Sequence, residues 1–251
     1  MDTRRGYRCG VLGLPERVTA CLFDLDGVLT PTAVIHNKAW TRTFDDFLRG
    51  RDGQRPFDPV ADYNDYVDGK PREAGVRDFL ASRGITLPEG TPEDGPEQET
   101  VCGLGNRKNA AFGEVLRDEG VTPYPASVAL LDRLAELGVA VAVVSSSRNA
   151  PAVLEAAGLA DRFEVVVDGQ VAAARGLPGK PAPDTFLYAA EQLGVPRERA
   201  VVLEDALSGV QAGRAGRFGL VVGVDRGAGA QELRDGGADL VVAELDELVR
   251  P

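Results

Sequence analysis

Phe23-Asp24-Leu25-Asp26-Gly27-Val28-Leu29-Thr30 follows the apolar run Val18-Thr19-Ala20-Cys21-Leu22. A short, nearly continuous apolar run predicts a strand of a parallel sheet covered on both faces. Side chains two apart in an extended chain point the same way, so Asp24 and Asp26 leave the strand end side by side. Open α/β sheets take their ligands at the carboxyl ends of their strands. Gly27 lets the chain turn there without a Cβ penalty. Two carboxylates held together and partly removed from water cannot both stay ionised without a cation between them. A divalent metal, a proton on one of them, or both, would answer that; a plain polar strand-to-loop turn is the alternative. The further acidic ligands and closing Glu of an EF-hand loop are missing.

Composition bounds what this turn can belong to. A chain of 251 residues accommodates one large domain or a core with an insert. Apolar content of 43% and charged content of 27% are ordinary for a globular protein. The net charge of −11 argues against a nucleic-acid or membrane partner. Screening over about 8 Å still lets local cations dominate a phosphate pocket. Cys9, Cys21 and Cys102 are odd in number and far apart, so no disulfide framework is implied, and a cytoplasmic setting is expected. Arg4 and Arg5 lead into no long apolar run, so no secretory signal is expected. No stretch reaches the ~18 apolar residues of a membrane span. We expect a monomer acting on a small molecule.

Beyond Thr30 the period changes to that of a helix: Ile35, Ala39, Trp40, Phe44, Phe47 and Leu48 form one apolar face. A polar, proline-containing stretch, 49–68, follows. Helical patterns then run through Val76, Phe79 and Leu80 and through Phe112, Val115 and Leu116. Between them, residues 87–100, rich in Pro, Gly and Glu, read as a solvated loop. From Tyr124 onward short strands (139–144, 165–167, 200–203, 220–224, 239–242) alternate with helices near 127–137, 150–157, 183–193, 208–215 and 230–234. That alternation predicts an α/β, doubly wound parallel sheet. The strand at 18–23 belongs to it, so residues 1–32 and 122–251 form a core and 33–121 an inserted α-helical cap domain.

Three further segments lie where chemistry is expected. Ser145-Ser146-Ser147-Arg148-Asn149 ends a strand and opens a helix. A hydroxyl followed by backbone N–H groups suits a phosphate oxygen, and ordinary N-capping by Ser147 or Asn149 is the alternative. Gly179-Lys180-Pro181-Ala182-Pro183-Asp184 begins the helix after the next strand. Lys180 precedes a proline and is biased to extended backbone; it either neutralises an aspartate–phosphate pair or is simply solvated. Glu204-Asp205 ends the apolar run 200–203, where adjacent carboxylates are expensive without a partner. Oxygen-only ligands beside a phosphate favour Mg²⁺.

In this order the four segments resemble the four motifs of the haloacid dehalogenase (HAD) superfamily, whose core is Rossmannoid. The resemblance implies Asp24 as a phosphoryl-accepting nucleophile, Asp26 as general acid/base, and Ser145 and Lys180 as their partners. It also implies Asp24, Asp26, Glu204 and Asp205 around Mg²⁺, and Ser146, Ser147, Arg148 and Asn149 beside the phosphate. Ala206 stands where relatives often carry Ser. Thr32-Ala33-Val34-Ile35-His36-Asn37-Lys38-Ala39-Trp40 resembles the cap entry of the β-phosphoglucomutase-like branch, and His36 is the chain's single histidine. Gly69-Lys70-Pro71-Arg72 and Gly105-Asn106-Arg107-Lys108-Asn109 resemble that branch's cap segments. They imply that Arg72 and Lys108 bind a sugar's distal phosphate, with His36 and Trp40 nearby; core packing accounts for Trp40 equally well. Pro31 stands where the branch often has Asp, and 49–68 makes the cap longer. The implied activity is transfer of a phosphoryl group between C1 and C6 of glucose phosphate. The alternative is a HAD phosphatase acting on small sugar phosphates.

Overall fold

The computed structural model describes residues 13–67, 70 and 72–249; Cys9, Gly69 and Pro71 lie outside them. The chain divides into two compact units, Met1–Pro31 with Val121–Pro251, and Thr32–Gly120.

The first unit is built on six parallel strands: β1 (Ala20–Phe23), β2 (Ala140–Val144), β3 (Val165–Val167), β4 (Ala200–Glu204), β5 (Leu220–Val224) and β6 (Leu240–Val242). Their order is β3-β2-β1-β4-β5-β6. β1 is central, with Ala20 in register with both Ala140 and Ala200. Every residue of β1 and β4 is buried. A strand covered on both faces has no polar side to alternate with, which is why these segments are continuous apolar runs. The chain leaves β1 for one half of the sheet and returns through β4 to the other. The carboxyl ends of β2, β1 and β4 therefore meet at the topological switch point, where such sheets place ligands.

Helices cover this sheet: α4 (Pro125–Leu137), α5 (Ala150–Ala156), α6 (Gly169–Arg175), α7 (Asp184–Gln192), α8 (Leu207–Ala215) and α9 (Ala230–Gly236). Pro125 opens α4 and Gly138, left-handed at φ 66°, closes it, the usual asymmetry of the two ends. Three expectations are corrected. The first strand begins at Ala20 rather than Val18. The lysine segment at 179–184 does not begin the next helix after β3, because α6 intervenes, capped by the Asp168 carboxylate accepting from Gln170 and Val171 N–H. α7 itself starts at Asp184. Cys21 and Cys102 are both buried. Among the described residues no helix is long and apolar enough to cross a membrane.

The second unit is helical: α1 (Ala33–Leu48), α2 (Arg72–Ser82) and α3 (Val101–Glu119), with a short π-helix at Tyr63–Val67. Its core is aromatic; Phe44 lies 3.9 Å from Phe79 and 5.1 Å from Trp40 between ring centroids. α3 is longer than its apolar pattern suggests and starts at Val101. The stretch 49–68 is more than a polar connection, since Phe57 and Val67 are buried in this core. Within it, buried Asp62 takes Arg55 at 2.8 Å and Arg83 at 2.6 Å. A carboxylate removed from water requires such partners.

Candidate active site

Asp24 follows β1 directly, its N–H donating to Leu203 O at 2.9 Å. Its carboxylate accepts from Lys180 Nζ at 2.5 Å. Lys180 also donates to Val144 O at 2.9 Å and pairs with Glu204 Oε1 at 2.5 Å. One ammonium thus ties together the ends of three adjacent strands, β2, β1 and β4. The side chains are 7% exposed for Lys180, 10% for Asp24 and 1% for Glu204, so the solvated-lysine alternative is excluded.

Carboxylate oxygens of Asp24, Glu204 and Asp205 lie within 4.8 Å of one another. Burial raises the Asp24 carboxyl above its usual range, against the opposing charge of Lys180. It pushes Glu204 up to about 7, with Lys180 opposing and Asp24 adding repulsion. It pushes Asp205 up to about 8, with Asp24 and Glu204 reinforcing the shift. Burial alone would lower Lys180, but Asp24 and Glu204 outweigh it and raise the ammonium's pKa. Three acids against one base leave a cluster short of positive charge. Glu204 Oε1 is buried and paired with Lys180 Nζ, an ammonium that it shares with Asp24. An oxygen-only donor set this short of positive charge fits a hard divalent cation such as Mg²⁺. Asp26, half-buried, stands outside that cluster, although its charge reaches Asp205.

Gly27 has φ +83°, and a Cβ there would lie 1.8 Å from Asp205 Oδ2. Gly27→Ala is therefore expected to lower the stability of the fold by at least about 1–2 kcal/mol, the cost of a left-handed alanine, because the Asp205 carboxylate must move as well. Urea unfolding checks it. An unchanged stability would mean that the cluster tolerates the displacement. Two supports of the same kind lie outside the residues picked out from the sequence. A Cβ on Gly209 would meet Glu204 Oε1 at 1.9 Å, so this glycine of α8 makes the room that Glu204 occupies. Ser127 Oγ donates to Val28 O at 2.6 Å. The only local signal for Gly209 is a glycine in a helix's first turn just after the acidic pair.

Ser145 is buried at the end of β2, and its Oγ accepts from Ser147 N at 3.1 Å. Ser147 Oγ accepts from Asn149 N at 3.1 Å. Asn149 is the N-cap of α5 and makes no side-chain capping bond. Ser146 and Arg148 are exposed, and the loop rests against Gly169, whose N–H donates to Ser147 O at 3.1 Å.

In the helical unit, His36 and Lys108 come together, with Lys108 Nζ 2.6 Å from His36 Nδ1. Burial, then the charge of Lys108, holds His36 well below the usual histidine pKa, so the neutral ring accepts the ammonium's hydrogen bond. The His36 ring stacks on Phe112 at 4.4 Å. Lys108 is buried, 5.2 Å from the Trp40 centroid. Trp40 itself belongs to the aromatic core. Arg72 lies across α3, with Nε 3.2 Å from where a Cβ on Gly105 would stand, and pairs with Glu73 at 2.9 Å. Gly105 and Lys108 are one helical turn apart, so Arg72 and Lys108 serve one face of α3. Asn106 and Arg107 turn elsewhere, donating to the carbonyls of Asp94 and Pro96 in the acidic loop.

The haloacid dehalogenase-like hydrolase family model matches residues 18–217, and the chain belongs to that superfamily. A β-phosphoglucomutase from Mycobacterium tuberculosis (strain CDC 1551 / Oshkosh) is 54% identical over 251 residues, covering 96% of this chain and 95% of its own. The 2.27 Å crystal structure of a β-phosphoglucomutase from Clostridium difficile matches with a TM-score of 0.71 at 26% identity, over 92% of this chain and 93% of that one. These likenesses place the chain in the β-phosphoglucomutase-like branch. Hexitol phosphatase A of Escherichia coli (strain K12) is 30% identical over 92% of this chain and 94% of its own.

Proposed function

We propose that the protein is an isomerase that moves a phosphoryl group between C1 and C6 of glucose phosphate, acting as a cytoplasmic monomer. Full-length identity of 54% to a β-phosphoglucomutase supports this reading. The observation that carries it over simple hydrolysis is two further cations on one face of α3, Arg72 over Gly105 and Lys108 one turn on, in a unit other than the one that holds Asp24 and Lys180. A phosphatase for monophosphates requires one phosphate site; an enzyme whose intermediate carries two phosphates requires two.

In this reading Asp24 attacks one phosphorus of the sugar bisphosphate, and the bond from that phosphorus to the sugar oxygen breaks as the aspartyl phosphate forms and the sugar monophosphate is released. Lys180 offsets the charge gathering on the phosphoryl oxygens, and Ser145 with the loop Ser146, Ser147, Arg148 and Asn149 holds them. Asp26 gives a proton to the departing sugar oxygen and later takes one from the hydroxyl that receives the phosphoryl group at the other end. Asp24, Glu204 and Asp205 would hold Mg²⁺, with Asp26 at its margin; the ion supplies charge neutralisation when bound. Arg72 and Lys108, with His36 and Trp40 setting the lysine's position, grip the distal phosphate.

Arg72→Ala should lower isomerisation by about 10–100-fold, as a lost charged hydrogen bond is worth ~1.5–3 kcal/mol and each 1.36 kcal/mol is tenfold. Acetyl phosphate, which has no second phosphate, should be hydrolysed with a much smaller loss. Equal losses would assign Arg72 to the fold of its unit. The decisive experiment is phosphorus NMR with β-glucose 1-phosphate and a bisphosphate primer. Glucose 6-phosphate is the expected product. Free phosphate alone would favour the second reading, a sugar-phosphate phosphatase, which the likeness to hexitol phosphatase A supports.

A further inference from the structure

Three successive carbonyls of the turn after Asp26 are each taken by a donor from outside it. Leu29 O accepts from Tyr124 N at 2.9 Å, Val28 O from Ser127 Oγ at 2.6 Å, and Gly27 O from Arg226 Nε at 2.9 Å. The first two donors are short and fixed at the start of α4. The third sits at the tip of a long side chain from the loop after β5, yet Arg226 is held in one geometry. Its guanidinium lies 4.0 Å over the Tyr124 ring. Its two terminal nitrogens fork onto Glu244 at 2.6 and 3.0 Å. Ion pairing, stacking and a carbonyl contact use the planar fork in three ways at once, which a lysine cannot reproduce.

The residue whose carbonyl Arg226 grips is one on which two site residues depend. Gly27 N–H closes the turn onto Thr30 O at 2.8 Å. Asp26 precedes it directly, and the Asp205 carboxylate occupies the space where a Gly27 side chain would be. A shift of Gly27 would be passed to Asp26 and to Asp205 together. A misplacement of about 1 Å is enough to cost a reaction of this kind about 100-fold.

We propose that Arg226, oriented by Glu244 and Tyr124, is a positioning residue that pins Gly27 by its carbonyl and thereby aims Asp26, the residue before it. The assignment rests on the acid/base role given to Asp26 above. Leaving-group dependence separates positioning from mere structural support, because a sugar oxygen must be protonated as it leaves whereas the acetate of acetyl phosphate need not be. Arg226→Met is expected to lose about 10–100-fold with β-glucose 1-phosphate, and at least about tenfold less with acetyl phosphate. Arg226→Lys should behave like Arg226→Met. Equal losses on the two substrates, no loss, or full rescue by lysine would overturn the proposal. A second measurement is independent of activity: in Arg226→Met, NMR hydrogen exchange at Gly27 N–H should lose at least about tenfold in protection while Cys21 and Leu22 in β1 keep theirs. Unchanged protection at Gly27 overturns the proposal whatever the activities. A wild type inactive on both phosphates would refute the function above, and the exchange measurement would still decide the role of Arg226.

Discussion

Asp24→Asn should give a folded protein that transfers no phosphoryl group, a loss of at least ~10⁴-fold with no trappable phosphoenzyme. Asparagine keeps the side chain's shape and an oxygen to accept from Lys180, but it offers phosphorus no anionic nucleophile. Stability should move the other way. The metal-free cluster sets three carboxylates against one ammonium, and burial has already raised all three carboxyl pKa values. Removing one charge relieves that repulsion, so in chelator the variant should melt no lower than the wild type. An excess of about 2–4 °C is expected for each kcal/mol relieved in a chain of this size. The same substitution removes one arm of the set suited to Mg²⁺, so the stabilisation gained from added ion should shrink. Acid-quenched labelling and thermal melts with and without Mg²⁺ measure both effects. A phosphoenzyme at the wild-type level would remove Asp24 from the nucleophile's place.

Both arms of that prediction draw on features the sequence displays to different degrees. Asp24, Glu204 and Asp205 stand at the ends of apolar runs, and a parallel sheet brings the ends of its strands to one edge, so their convergence is legible in the residue pattern itself. Lys180 is legible only as a residue beside a proline; that it spans three strand ends depends on the path of residues 168–183. α6 is hard to read because Val-Ala-Ala-Ala over 171–174 has no polar face to set a period. The first half of α3 is masked by Gly103 and Gly105, poor helix formers. They are there for space: a Cβ on Gly103 would lie 2.3 Å from Gln98 O, and one on Gly105 would press on Arg72. The stretch 49–68 looks polar because Asp62 and Arg55 are charged, yet Asp62 is neutralised by Arg83, 21 residues on. Arg226 meets Gly27 across 199 residues, and no local pattern reports a partner at that distance.

Lys180→Met should cost the metal-free protein about 3–5 kcal/mol at pH 8, the range for a buried ion pair that loses one partner. Methionine matches the length of the lysine stem and can keep its packing on Phe186, whose ring centroid lies 5.0 Å from Nζ. The loss should therefore be chiefly one of charge, and pH can test that. The Lys180 ammonium is raised from 10.5 by its two carboxylates. Its contribution is fully present below 10.5 and does not itself change between pH 5 and 8. Glu204 rises from 4.5 to about 7 and Asp205 from 3.8 to about 8. Acids raised in this way favour the fold while protonated, fully below their unfolded values, and lose that contribution as pH climbs through the folded ones. Metal-free wild type should thus weaken from pH 5 to 8. Near pH 5 Glu204 and Asp205 hold their protons with or without Lys180, so the deficit is small there. Without Lys180 the folded-state values climb further, so by pH 8 the variant must either keep protons that the unfolded chain has released or ionise without a cation, and the deficit is widest. Mg²⁺ should narrow the gap, while phosphoryl transfer stays depressed by at least about 10²–10³-fold, the cost of losing an electrostatic donor at the reacting centre. Urea unfolding at both pH values, in chelator and in Mg²⁺, measures the four stabilities. A deficit equal at pH 5 and pH 8 would make Lys180 a packing residue; a deficit that opens with pH and closes with the ion makes it the counter-charge of the three strand ends.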